Sequence, residues 1–224
     1  MSINRRDFSI STVLLGATSL SALPAWAQEP PKEGQQYAKL ATPVNLDTPA
    51  GKIEVLEFFW YSCPHCNSFE PMFETWKKAQ PEDVIVRRVP IAFQQNGNFV
   101  PQQKLYYTLE ALNLLDKLHM AAFRAVHTER KRLNSDDAVF EWVKGQPGVN
   151  LDEFKKMYNS FTISNLIRRA TTLQNSFDVQ GVPALGVAGK YYTDGTMARN
   201  LANALQVVNY LVEQERKAMK GGKG

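Results

Sequence analysis

Only two cysteines occur in the 224-residue chain, and they stand three positions apart in Ser62-Cys63-Pro64-His65-Cys66. What flanks them limits the fold more than any other feature. Immediately before lies Ile53 to Trp60, IEVLEFFW, an apolar and aromatic run of the kind found in a strand buried on both faces. Immediately after lies NSFEPMFETWKKA, where Phe69, Met72, Phe73 and Trp76 recur at helical spacing and Pro71 is expected to kink the helix. A second strand pattern follows from Asp83 to Phe93. Strand, helix, strand implies a right-handed crossover between two parallel strands.

Spacing also discriminates between the chemistries open to the pair. A disulfide closing so short a ring would be a poor staple, because cross-links stabilise chiefly by closing long loops in the unfolded chain. A metal site needs three or four ligands, and the other histidines, His119 and His127, belong to a distant helical stretch. Thiol–disulfide exchange suits the pair best. Cys63 is expected at a helix N-terminus, where free backbone N–H groups and the positive dipole end favour thiolate and make it the nucleophile. Pro64 fits the first helical turn, where its missing N–H costs nothing. His65 can carry a positive charge or donate a hydrogen bond toward the Cys63 sulfur; the plainer alternative is a surface histidine. Cys66, one turn in, is expected to be less exposed and to act as the resolving thiol. Stabilising the thiolate stabilises the reduced form, which makes the disulfide a stronger oxidant.

Two further positions bear on this chemistry. Glu57 is the odd residue in IEVLEFFW, six positions before Cys63. Inside a doubly buried strand its pKa should rise, so that it could hold or pass a proton; the alternative is a strand-end charge that reaches solvent. Glu54, nearer the strand start, is expected to reach water more easily. Val182-Pro183 precedes a strand, so the proline marks an edge or turn position where a cis bond is open to it.

Along the rest of the chain, residues 28–50 read as an extended arm rich in Pro, Gly and Gln. From about Pro101 to Phe177 the pattern is helix after helix. Leu105, Leu109, Leu112 and Leu115 mark the first, and Met120, Phe123 and Val126 the second. Ser135 caps a third, and 151–160 and 162–176 continue helically. Strand period returns at Ala184 to Ala188 and, after a Gly189-Lys190 turn, at Tyr191 to Thr193. A last helix is expected from about Met197 to Met219. The fold class is therefore α/β, with a core split by an all-helical insertion and no internal repeat. The expected divisions are 28–98 and 178–224 for the two parts of the core and 99–177 for the insertion. A content of 44% hydrophobic and 11% aromatic residues excludes wholesale disorder.

Residues 1–27 read as a cleavable signal peptide: Arg5 and Arg6, a mildly apolar stretch from Phe8 to Leu23, then Ala25-Trp26-Ala27 before the cut. The paired arginines suit a twin-arginine signal, although Asn4 stands where Ser or Thr is usual, and Sec export fits as well. Either route puts the mature protein outside the cytosol, in a bacterial periplasm. A net charge of +4 from 26 basic and 22 acidic residues, spread along the chain, gives no reason to expect nucleic-acid binding. The run Glu129-Arg130-Lys131-Arg132 reads as a solvated helix end with no interleaved aromatic, and His119 and His127 read as ordinary helix residues.

LEFFWYSCPHC and the distant GVPAL, separated by a helical block, resemble the DsbA family of thioredoxin-fold oxidases. Cys-Pro-His-Cys is typical of that family, whereas thioredoxins usually carry Cys-Gly-Pro-Cys. QKLYYTLEALN, YNSF at 158–161, DVQGVPAL and the VAGKY hairpin extend the likeness over nearly the whole mature chain. The resemblance implies a thioredoxin core with an inserted helical domain and a dithiol oxidase acting on unfolded, newly exported proteins. It also implies reoxidation by a DsbB-type quinone-linked membrane oxidase. Cys63 then matches the attacking cysteine, Cys66 the resolving one, His65 the thiolate stabiliser and Glu57 the family's buried glutamate. Val182-Pro183 matches the cis-proline loop that pairs with an extended substrate segment. No metal or cofactor is expected. Gly186 departs from the family, standing after the loop where a bulky apolar residue is common. Gln180 and Asn67 depart as well. Gly186 and Gln180 are expected near the substrate surface.

A periplasmic isomerase or reductase would use the same pair in reverse, but such isomerases bring an N-terminal dimerisation domain, and about 25 mature residues before the strand are too few for one. A monomeric oxidase is therefore expected. A peptide-binding chaperone or a metal carrier using Cys63 and Cys66 as ligands would be non-enzymatic alternatives.

Overall fold

The computed structural model describes residues 29–94 and 98–221. The expected signal peptide, its twin-arginine feature and its cleavage site lie outside the described residues. In chain order the elements are β1 (Ala38–Lys39), β2 (Ile53–Phe59), α1 (Pro64–Lys78), β3 (Val84–Pro90), α2 (Val100–Ala111), α3 (Leu115–His127) and α4 (Asp136–Lys144). They continue as α5 (Leu151–Tyr158), α6 (Phe161–Ser176), β4 (Ala184–Val187), β5 (Tyr191–Asp194) and α7 (Leu201–Gly221). Among the described residues no helix is long and apolar enough to cross a membrane.

The five strands form one sheet in the order β1-β5-β4-β2-β3. β2 and β3 run parallel, as the crossover through α1 requires; the other neighbours are antiparallel. β2 has neighbours on both edges and every one of its residues is buried, which is why it reads as a continuous apolar run rather than an alternating one. One sheet face packs Val55, Leu185 and Val187 against Phe69 and Phe73 of α1 and Val208 and Leu211 of α7. The other face packs Leu56 and Phe58 against the helices that lie between β3 and β4, with Phe177 closest to Phe58 at a ring separation of 5.2 Å.

Local signals explain most helix starts. Ser135, Asn150 and Ser160 each accept a backbone N–H in the first turn of α4, α5 and α6. Two boundaries differ from the periodicity. The leucines 105 to 115 do not share one helix: α2 ends at Ala111, Asn113 adopts a left-handed φ of 56°, and α3 begins at Leu115. Asparagine tolerates that conformation, so the apolar period continues across a break it cannot register. α7 starts at Leu201 rather than Met197, because Asp194 Oδ1 accepts from Thr196 N and Met197 N and holds a turn there.

The N-terminal arm does more than lead into the sheet, for Ala38 and Lys39 add its edge strand beside β5. Val44 N then donates to Gly189 O at 2.7 Å. A Cβ on Gly189, which has φ +67°, would come within 2.0 Å of the Val44 carbonyl oxygen, so only glycine permits this closure.

A candidate dithiol active site

Cys63 is itself the N-cap of α1. Its φ and ψ are extended, and its sulfur accepts from Cys66 N at 3.4 Å. The loop bearing it is held from two sides. Cys63 N donates to Trp60 O, while Ser62 N donates to Gln102 Oε1 at 3.1 Å and Gln102 Nε2 donates back to Ser62 Oγ at 2.7 Å. Pro64 occupies the first turn, and α1 continues through Pro71 to Lys78 as a single helix. Pro64 and His65 are exposed, whereas Cys66 is fully buried among Phe59, Tyr61 and neighbouring core residues.

The two thiols, one helical turn apart, sit in opposite electrostatic surroundings. Hydrogen bonding from the Cys66 side chain lowers the Cys63 pKa to about 6 against an opposing burial effect, helped by the backbone N–H groups of Cys66 and His65 and by the His65 charge. Burial pushes the Cys66 thiol far up, with the adjacent Cys63 and the buried Glu57 adding to it. At neutral pH the surroundings favour a thiolate at Cys63, which is nearly buried beneath the exposed Pro64 and His65, and a thiol at the interior Cys66.

Across from the pair, the Val182–Pro183 bond is cis, and Cys63 Sγ lies 3.3 Å from the Val182 carbonyl oxygen. A groove of about 450 Å³ opens beside it, lined by His65, Val182, Pro183, Thr196, Arg199 and Leu201. The structure thus brings Cys63, His65, Val182 and Pro183 to one rim and Cys66 just beneath it.

Glu57 lies below that rim, fully buried in β2 and paired in register with Arg88 of β3. Arg88 Nε approaches Glu57 Oε2 at 2.9 Å but is not directed for a hydrogen bond, and neither Glu57 oxygen has a donor. Burial and the neighbouring Glu70 raise the Glu57 pKa well above the usual carboxylate range, against the pull of Arg88. Glu57 is therefore an interior carboxyl and not a strand-end charge. Glu54 is buried too, contrary to expectation: it pairs with Arg87 and accepts from Thr48 Oγ1 at 2.7 Å.

Two other expectations are corrected, those for Gly186 and for the two histidines. Gly186 is buried rather than near the substrate surface: a Cβ there would meet the Phe177 ring at 2.4 Å, so Phe177 fills the space a larger residue would take. Gln180 is exposed as expected, its Nε2 bound to Asp178 Oδ1. Arg130, Lys131 and Arg132 are solvated, yet they also line a cavity of about 440 Å³ with Trp60 and Phe99, aromatics contributed from elsewhere in the chain. Finally, His119 and His127 are not ordinary helix residues remote from the cysteines. His119 is buried with Nδ1 2.8 Å from Tyr61 Oη, and His127 Nε2 lies 2.8 Å from the Tyr61 carbonyl oxygen, two residues before Cys63. No local pattern marks them, because Tyr61 is 58 and 66 positions away in sequence.

A cysteine pair capping the first helix after a central strand, facing a proline loop from the opposite strand, defines a thioredoxin-fold thiol–disulfide oxidoreductase with a helical insertion. Comparison with known proteins narrows the class. The profile of the DSBA-like thioredoxin domain matches residues 54–206. The thiol:disulfide interchange protein DsbA of Bordetella parapertussis is 46% identical over 208 residues, covering 92% of this chain and 97% of that protein. The protein of the same name from Azotobacter vinelandii is 42% identical, covering 92% and 96%. The crystal structure of Pseudomonas aeruginosa DsbA is similar at a TM-score of 0.78 and 37% identity, over 84% of this chain and 95% of that one. The chain belongs to the DsbA-like thioredoxin family and is an enzyme of thiol–disulfide interchange.

Proposed function

We propose that the protein works in the donor direction in a bacterial periplasm, passing the Cys63–Cys66 disulfide to unfolded, newly exported proteins. The observation that carries this reading is the asymmetry of the two thiols. A Cys63 pKa near 6 stabilises the reduced enzyme and makes Cys63 a good leaving group. A client thiolate attacks Cys63 Sγ and expels Cys66; a second client thiolate then attacks the client sulfur of the mixed disulfide and expels Cys63. The client loses two electrons and the enzyme gains them. His65 supports the Cys63 thiolate, Pro64 shapes the first turn, and Glu57 exchanges a proton with Cys66. Val182 and Pro183 offer backbone to an extended client segment. A DsbB-type quinone-linked membrane oxidase, as the family resemblance implies, returns the enzyme to its disulfide form, and the protein acts as a monomer.

Redox titration of the pair against glutathione, followed by tryptophan fluorescence or thiol alkylation, tests the direction. The donor reading requires an equilibrium well on the oxidising side of glutathione. One near that of thioredoxin would assign the pair to a reductase. Cys63→Ser should abolish exchange, and retained oxidase activity would end the proposal.

A further inference from the structure

The chain that leaves α3 is tied down on both sides of its basic run. His127, the last residue of the helix, has Nε2 2.8 Å from the carbonyl oxygen of Tyr61 in the exchange loop. Lys131 N donates to Ala125 O at 2.8 Å, and Leu133, just past the run, is buried in the core. Between these anchors Arg130 takes a left-handed φ of 58°, which turns the chain out of the helix. The exposed side chains of Arg130, Lys131 and Arg132 are thus presented from a fixed stretch of backbone beside the loop that carries Cys63.

These three cations line the cavity of about 440 Å³ together with Trp60, Phe99 and Ser62, the residue before Cys63. Its charge is one-sided. Among the described residues no carboxylate lines it, whereas in the groove beside Pro183 Asp194 accompanies Arg199. Lys131 pairs with Glu129 at 2.8 Å, but Arg130 and Arg132 have no carboxylate within ion-pair reach among the described residues. The opposite wall is aromatic: the Trp60 and Phe99 rings lie 4.5 Å apart, and the exposed Phe93 stands edge-on to Phe99 at 6.0 Å. Phe93 in turn shares a recess with Val179 and Gln180, just before the proline loop. A cleft of one sign with an apolar wall concentrates the field of its charges, and a planar guanidinium matches a carboxylate with two parallel N–H donors.

We propose that this cavity is a client subsite in which Arg130 and Arg132 receive the carboxylate of an Asp or Glu standing a few residues from the client cysteine. This deepens the donor reading and rests on it. A client polypeptide is the occupant because the cavity begins at the exchange loop itself, and its aromatic wall leads on toward the proline loop. Backbone pairing at Val182-Pro183 accepts any extended segment, since it reads no side chain; the cavity adds a preference for acidic flanks. Rim charges of this kind act chiefly on association, so the preference belongs to the rate of the first attack on Cys63.

The test uses the full-length oxidised protein and two unfolded dithiol peptides, identical except that Glu flanks the cysteines in one and Gln in the other. The measured quantity is the ratio of their second-order oxidation rates within each protein variant. In the wild type the Glu peptide should react about fivefold faster, the effect of two exposed ion pairs, and the ratio should shrink at high salt. The double variant Arg130→Gln, Arg132→Gln should bring the ratio to about one. Lys217→Gln with Lys220→Gln removes the same charge near the far end of α7 and should preserve it. A wild-type ratio of one, or the same loss in both double variants, would overturn the proposal. In the first case, binding to vesicles of anionic phospholipid that depends on Arg130 and Arg132 would assign the run to a membrane surface instead. If the Gln peptide is not oxidised at all, it is the donor reading that falls.

Discussion

Cys63 and Cys66 lie one helical turn apart but belong to different regions. The rim around Cys63 is built from backbone: the N-terminus of α1, the N–H groups of His65 and Cys66, and the Val182 carbonyl. The interior around Cys66 is built from side chains of four separate elements, with Glu57 on β2, Arg88 on β3, Glu70 on α1 and His119 on α3. The rim makes a thiolate by local geometry, and the interior controls a proton by burial and charge balance. A helix N-terminus needs only a few consecutive residues to work, whereas a charge cluster works only when distant segments have closed over it. The two regions should therefore fail differently.

The largest effect should separate the cysteines. Cys66→Ala, mixed with an unfolded client whose cysteine is activated as a disulfide with a small aromatic thiol, should be trapped as a stable Cys63–client mixed disulfide as the aromatic thiol departs, visible on non-reducing gels. Cys63→Ala should form none, since the remaining thiol is buried and its pKa is raised. Equal trapping through either cysteine would erase the distinction between the regions.

Next in size is the interior. Arg88→Met should cost about 3–5 kcal/mol in denaturant unfolding at neutral pH, because it removes the guanidinium that pairs with the buried Glu70 and the half-buried Glu74. The Glu57 pKa is raised in the folded state, so its ionisation opposes folding as pH rises through that value and not below the usual carboxylate range. The deficit of Arg88→Met should accordingly shrink on acidification. A deficit independent of pH would mean that packing, not charge, holds this region.

Gly186→Val tests the support behind the proline loop. Its side chain would collide with Phe177, and overpacking of this kind costs about 1–3 kcal/mol. The rim thiolate should survive it, so the alkylation pKa of Cys63 should stay near 6 while stability falls. A shifted pKa would show that the rim depends on the packing beneath it.

The smallest expected effect is a pH-dependent difference in Tm between the reduced and oxidised proteins. The Cys63 pKa is depressed to about 6 in the folded state, so its contribution to the reduced form is complete only above the ordinary thiol range and is lost as pH falls through about 6. The Tm advantage of the reduced protein should decline over that window and be flat at lower pH. A constant difference would remove the low-pKa thiolate from the account.

Much of this protein was legible in its residue order. The strand–cysteine–helix seam, the parallel crossover, the cap at Ser135 and the buried Glu57 follow from patterns a few residues long, and such patterns act through local backbone geometry and burial period. The break at Asn113 and the late start of α7 escaped the periodicity because one left-handed residue and one aspartate turn interrupt a pattern without changing it. Only the tertiary structure decided that Glu54 is enclosed, that Phe177 occupies the space over Gly186, and that Trp60 and Phe99 meet the basic run after α3. Above all it brought His119 and His127 to Tyr61. Their helix carries no signal of that contact, since what gives a buried histidine its partner is the closure of an inserted domain over the core, and residues 58 positions apart have no shared period from which to read it.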